Sequence, residues 1–103
     1  MIGGNRPHDP IERHYRAAAD HYLALPSASR QARELIRSLA LDVLIFADVG
    51  MDPLTYTLSF SRMAPVQCVT WGHPLTTGSP TIDYFISSEL LETASAQDHY
   101  REQ

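Results

Sequence analysis

A chain of 103 residues has room for one domain and not for two. Its 44% hydrophobic and 19% charged content is ordinary for a soluble globular fold. A net charge of −4, with eight scattered positive side chains, argues against nucleic acid as a partner. No stretch approaches the apolar length of a membrane span, so no membrane partner is expected.

All eight positive residues are arginine. Without lysine there is no Walker loop, no Schiff base and no other step needing an ε-ammonium group. The opening MIGGNRPHDP lacks the apolar core of a secretory signal. The single cysteine, Cys68, cannot form an internal disulfide, which agrees with the expected cytoplasmic location.

Met1 to Pro10 carries two glycines and two prolines, and residues 1–9 read as irregular. Asp9-Pro10 is a cap followed by proline in the first helical turn. Ile11, Tyr15, Ala18, Ala19 and Tyr22 then recur at helical spacing, predicting a helix from about Pro10 to Asp20. His21 to Leu25 reads as a short strand closed by Pro26. A second helix, capped by Ser27 or Ser29, has Ala32, Leu35, Ile36 and Leu39 on one stripe. Val43 to Ala47 is an apolar run without alternation, which predicts a parallel strand covered on both faces.

Gly50 permits a turn, and Asp52-Pro53 repeats the cap-then-proline signal for a helix to about Arg62. Ala64-Pro65 ends that helix. Val66 to Trp71 and Ile82 to Ser87 read as strands, and a last helix opens at Thr93 or Ser95. The alternation predicts an α/β fold with a Rossmann-like, largely parallel sheet. Three strands make a thin sheet with open edges, so residues 1–103 are expected to form a single partial domain.

Between the last two strands lies GHPLTTG, Gly72 to Gly78. It follows the carboxyl end of a buried strand, where open α/β sheets bind ligands. Gly72, His73, Thr76 and Thr77 would offer backbone approach, imidazole and hydroxyls to a sugar or phosphate. Its alternative is a tight connection whose threonines bond their own backbone. Asp48 leaves the neighbouring strand on the same rim. It would orient a substrate hydroxyl or act as a base, or else simply form the turn. Trp71 is a stacking or packing residue. His8, His14, His21 and His99 lack zinc-motif spacing, so no metal is expected.

Several of these residues also carry a resemblance. Gly50, the R-x-A-P-x-Q segment (Arg62, Ala64, Pro65, Gln67), the G-[HY]-P-x-T-[ST] turn (Gly72 to Thr77) and Asp83-Tyr84 follow in order between Asp42 and Glu92. This region is similar to the catalytic region of the protein O-linked N-acetylglucosamine transferase family. The family includes bacterial SPINDLY-type tetratricopeptide-repeat members and is related to bacterial N-glucosyltransferases of the adhesin-modifying kind.

The resemblance implies part of the N-terminal lobe of a GT-B glycosyltransferase. That enzyme would be metal-independent and inverting, with no cofactor, and would move N-acetylglucosamine or glucose from a UDP-sugar donor to a protein acceptor. A second catalytic lobe and upstream repeats would belong to a longer parent chain, and these residues alone would be inactive. The turn would line the sugar and acceptor side of the cleft through Gly72, His73, Pro74, Thr76 and Thr77, with His73 and Asp48 as catalytic candidates. Animal members carry tyrosine in place of His73. The N-glucosyltransferases carry histidine there and a second histidine in place of Gly78. The alternative is a non-catalytic α/β interaction module or remnant. A receiver-like variant of it, with Asp48 as phosphoacceptor, is discounted because that chemistry needs a lysine.

Overall fold

In the computed structural model, residues 1–3 and 9–103 are described. The order of elements is β1 (Ile2–Gly3), α1 (Pro10–Ala18), β2 (Leu23–Ala24), α2 (Ser29–Ser38) and β3 (Val43–Phe46), followed by α3 (Pro53–Ser59), β4 (Val66–Thr70) and β5 (Tyr84–Ile86). β1 pairs with β2 and β3-β4-β5 form a second ladder, all parallel. This is the α/β fold expected from the alternation of elements.

Two of the helix starts form as their sequences dictate. The carboxylates of Asp9 and Asp52 accept from the amides of Ile11 and Thr55, both at 2.8 Å, with proline in the first turn of each helix. α2 differs from expectation. Its N-cap is Ala28, and neither Ser27 nor Ser29 caps it, because Ser29 is already its first helical residue. Ala32 and Ile36 of α2 and Leu58 of α3 pack with Leu44, Phe46, Val69, Met63 and Ile82 into one core.

Three expectations are corrected. Ile2–Gly3 is paired backbone, since the amides of Leu23 and Leu25 donate to the carbonyls of Met1 and Gly3 at 2.9 and 2.8 Å. The irregular segment therefore does not begin at residue 1, and residues 4–8 lie outside the described residues. Second, β3 is covered on one face only. Leu44 and Phe46 are buried, whereas Val43 is 49% and Ile45 55% exposed. Both helices packed on this sheet lie on the Leu44/Phe46 side, so an apolar run with no alternation still has two unlike faces.

Third, the expected C-terminal helix is only a 3₁₀ turn, Ala96–His99, after which the chain returns to the sheet. Phe85 donates to the Gln103 carbonyl and Gln103 donates to the Asp83 carbonyl, both at 2.9 Å, which places Gln103 alongside β5. Thr93 and Ser95 start no α-helix because residues 100–103 gain this edge pairing and bury Glu102.

The motif residues Arg62, Gln67 and Asp83 are the joinery of this sheet. Gln67 is wholly buried in the central strand. Its Oε1 accepts from the amides of Met63 (2.7 Å) and Ala64 (3.3 Å), and its Nε2 donates to the carbonyls of Ser61 (3.2 Å) and Thr81 (2.8 Å). Every hydrogen-bonding position of the amide is used. Arg62 grips both oxygens of Asp83 at 2.5 and 2.9 Å, while the backbone N–H of Gln67 donates to Asp83 Oδ2 at 2.8 Å.

The Arg62 hydrogen bonds, then the backbone N–H of Gln67, hold the Asp83 carboxyl below its ordinary range. A depressed carboxyl contributes stability above its unfolded value and loses it as pH falls through the folded one. Stability from this pair should therefore be level above about pH 5 and decline below about pH 4. Urea midpoints measured down the pH scale should show this decline, and Asp83→Asn should flatten it. An unchanged slope in that variant removes the assignment.

Candidate functional site

The carboxyl ends of β3 and β4 converge on one rim. Thr70, ending β4, donates its hydroxyl to the Ala47 carbonyl at 2.7 Å, just past the end of β3. Gly72 follows so closely that a Cβ on it would stand inside van der Waals contact with the Ala47 carbonyl oxygen and 3.2 Å from Asp48 Cβ. Only glycine lets the turn start here.

His73 then lies over Gly50. A Cβ on Gly50 would meet the imidazole Cδ2 at 3.0 Å and Nε2 at 3.3 Å, and Gly50 itself sits at φ +111°. The Asp48 loop and the 72–78 turn, separate in sequence, thus close into one corner. The two expected site residues Asp48 and His73 flank it, each half-buried.

Asp48 also borders a crevice of about 440 Å³ between the ends of β1 and β3, lined in part by Gly3, Tyr15, Tyr22, Asp52 and Thr55. The Thr55 hydroxyl reaches Asp48 Oδ1 at 3.5 Å, so the carboxylate is only loosely held. Asp52 is committed as the α3 cap. Pro74 is exposed in the turn, and Trp71 is half exposed beside it.

Thr76 and Thr77 are placed differently. Thr76 is exposed and Thr77 half-buried, and the hydroxyls of both donate to the carboxylate of Glu102, which is 1% exposed. The Thr76 bond is 2.7 Å, and the Thr77 amide donates to the same carboxylate at 2.9 Å. Burial pushes the Glu102 carboxyl upward, but the hydroxyls of Thr77 and Thr76 and the Thr77 amide together hold it below its ordinary range. Glu102 was not legible as part of this turn, because it lies 25 residues downstream in a segment with no motif.

Cys68 is buried, and that burial, with Asp83 nearby, pushes its thiol above the ordinary range, as befits a small apolar strand residue. Among the described residues no group of three His, Cys, Asp or Glu side chains could hold a metal ion. His8 lies outside those residues. No helix among them is long and apolar enough to cross a membrane.

No family model matches the chain. Over 71 residues it is 34% identical to the UDP-glucose:protein N-beta-glucosyltransferase of Actinobacillus pleuropneumoniae serotype 5b (strain L20). It is equally similar to the same enzyme of serotype 7 (strain AP76). The match takes in 65% of this chain and 12% of each relative. The structure superposes on a Thermobaculum terrenum O-GlcNAc transferase carrying the K341M substitution. The TM-score is 0.84 at 23% identity, covering 99% of this chain and 20% of that one.

The sequence similarity is thus to protein N-glucosyltransferases and the structural similarity to an O-GlcNAc transferase, and the chain spans about an eighth to a fifth of the length of these proteins. Its parallel α/β fold is that of a GT-B O-GlcNAc transferase over the matched part. Among the residues that carry the family resemblance, Gly50, Gly72 and His73 build the corner at the strand ends. Arg62, Gln67 and Asp83 hold the sheet behind it.

Proposed function

We propose that this chain forms one wall of the sugar-transfer cleft of a UDP-sugar-dependent protein glycosyltransferase, on the sugar and acceptor side. The observation that carries this reading is the corner where His73 lies over Gly50 and Gly72 abuts Ala47, beside Asp48 and an open crevice. Similarity to a UDP-glucose:protein N-beta-glucosyltransferase supports the donor and acceptor classes.

In an inverting transfer the acceptor attacks the anomeric carbon as the nucleoside diphosphate departs, and no enzyme nucleophile is needed. The protein's contribution is orientation and fixed dipoles facing the developing charge. His73 bonds a sugar or acceptor hydroxyl, and Asp48 orients a second one or accepts its proton. The donor phosphates are held by a second lobe of the parent protein, which is cytoplasmic and carries upstream repeats.

In the parent protein, His73→Ala is expected to lower sugar transfer from UDP-glucose or UDP-N-acetylglucosamine to a protein acceptor by about a hundredfold. Unimpaired transfer removes His73 from the site. A second reading, a non-catalytic module, is favoured by the bare sheet face of Val43, Ile45, Tyr84 and Ile86. A parent protein that binds neither UDP-sugar in ligand-observed NMR supports that reading instead.

A further inference from the structure

The 72–78 turn is held from behind by a single carboxylate. Glu102 receives the hydroxyls of Thr76 and Thr77 and the Thr77 amide, and the Arg101 amide donates to Thr76 Oγ1 at 3.3 Å. The threonine oxygens accept in turn from the amides of Gly78 and Ser79, at 3.2 and 3.1 Å. Each hydroxyl therefore gives its one proton to Glu102 and spends lone pairs inside the turn. Glu102 is itself anchored. Gln97 Nε2 donates to its carbonyl at 2.8 Å, and the next residue, Gln103, is paired with β5.

We propose that Glu102 is the positioning residue of this turn, clasping Thr76 and Thr77 so that His73 is presented over Gly50. The surface offered to a sugar is then His73 and the backbone near Gly72, not the threonine hydroxyls. The clasp stands on the geometry alone, whereas its ligand half rests on the glycosyltransferase reading. A carboxylate suits this task because one group accepts several charge-assisted hydrogen bonds at once.

The test is NMR of the 103-residue chain, without ligand, in wild type, E102A, E102Q, T77V and T77S. In E102A and T77V, protection of the Thr77 amide from hydrogen exchange should fall by at least about tenfold. The His73 ring resonances should move while the amides of Val69 and Phe85 keep their protection. E102Q, which keeps one acceptor oxygen, should be intermediate, and T77S should match wild type. If E102A fails to fold, the comparison of T77V with T77S still decides.

His73 resonances that stay at their wild-type positions in folded E102A or T77V overturn the clasp. A wild-type parent protein that binds no UDP-sugar defeats the glycosyltransferase reading and leaves the clasp intact. In that parent, T77S should bind sugar as wild type does. A T77V protein with an unmoved His73 that nevertheless loses sugar binding overturns the ligand half.

Discussion

Gln67→Leu should cost about 3 kcal/mol of stability, the sum of two or more buried groups orphaned at roughly 1–3 kcal/mol each. The substitution nearly keeps the volume, so the loss is not a cavity effect. It strands the backbone amides of Met63 and Ala64 and the carbonyls of Ser61 and Thr81, around the start of the central strand. Those four groups belong to the α3–β4 connection and the approach to β5, so one side chain sets two connections at once.

For a chain near 100 residues, where 1 kcal/mol moves the midpoint by about 4–8 °C, the expected fall in Tm is roughly 12–24 °C. Gln67→Glu should be similarly damaging, because a carboxylate oxygen would face the Ser61 and Thr81 carbonyls. Thermal or urea unfolding measures both variants. A Gln67→Leu protein within about 1 kcal/mol of wild type would show that the amide's bonds are replaceable.

Gly72→Ala is the second large effect, and its cause is steric. The new methyl group meets the Ala47 carbonyl oxygen, a backbone atom that Thr70 also holds, so neither partner is free to give way. Forcing the strand ends apart should cost about 1–3 kcal/mol, the range for overpacking. It should also shift His73 off Gly50. Gly78→Ala separates the two causes. Nothing lies within 4 Å of a Cβ there, but φ is +63°, so only left-handed strain of about 1–2 kcal/mol applies. Denaturant midpoints for the pair should place Gly72→Ala below Gly78→Ala, with His73 ring shifts perturbed more in the former. The reverse order would mean that the close approach of β3 and β4 yields easily.

Local sequence determined what depends on neighbours along the chain. Asp9-Pro10 and Asp52-Pro53 started helices, because the cap bond and the proline φ need only a few adjacent residues. The alternation of apolar runs and amphipathic stretches set the parallel α/β class. The order of Gly50, Gln67, Gly72 to Thr77 and Asp83 carried the resemblance to protein glycosyltransferases.

Tertiary structure decided what depends on residues far apart. The run Val43 to Ala47 looked covered on both sides, and only the placement of α2 and α3 revealed its bare face. Gly72 looked like a ligand-approach glycine, yet its close neighbour is the Ala47 carbonyl, 25 positions earlier. The threonines of the turn read either as ligand hydroxyls or as bonded to their own backbone, and neither reading contained their bonds to Glu102. Side-chain hydrogen bonding over such separations leaves no periodic signal, because each partner is one polar residue among many until the sheet brings them together.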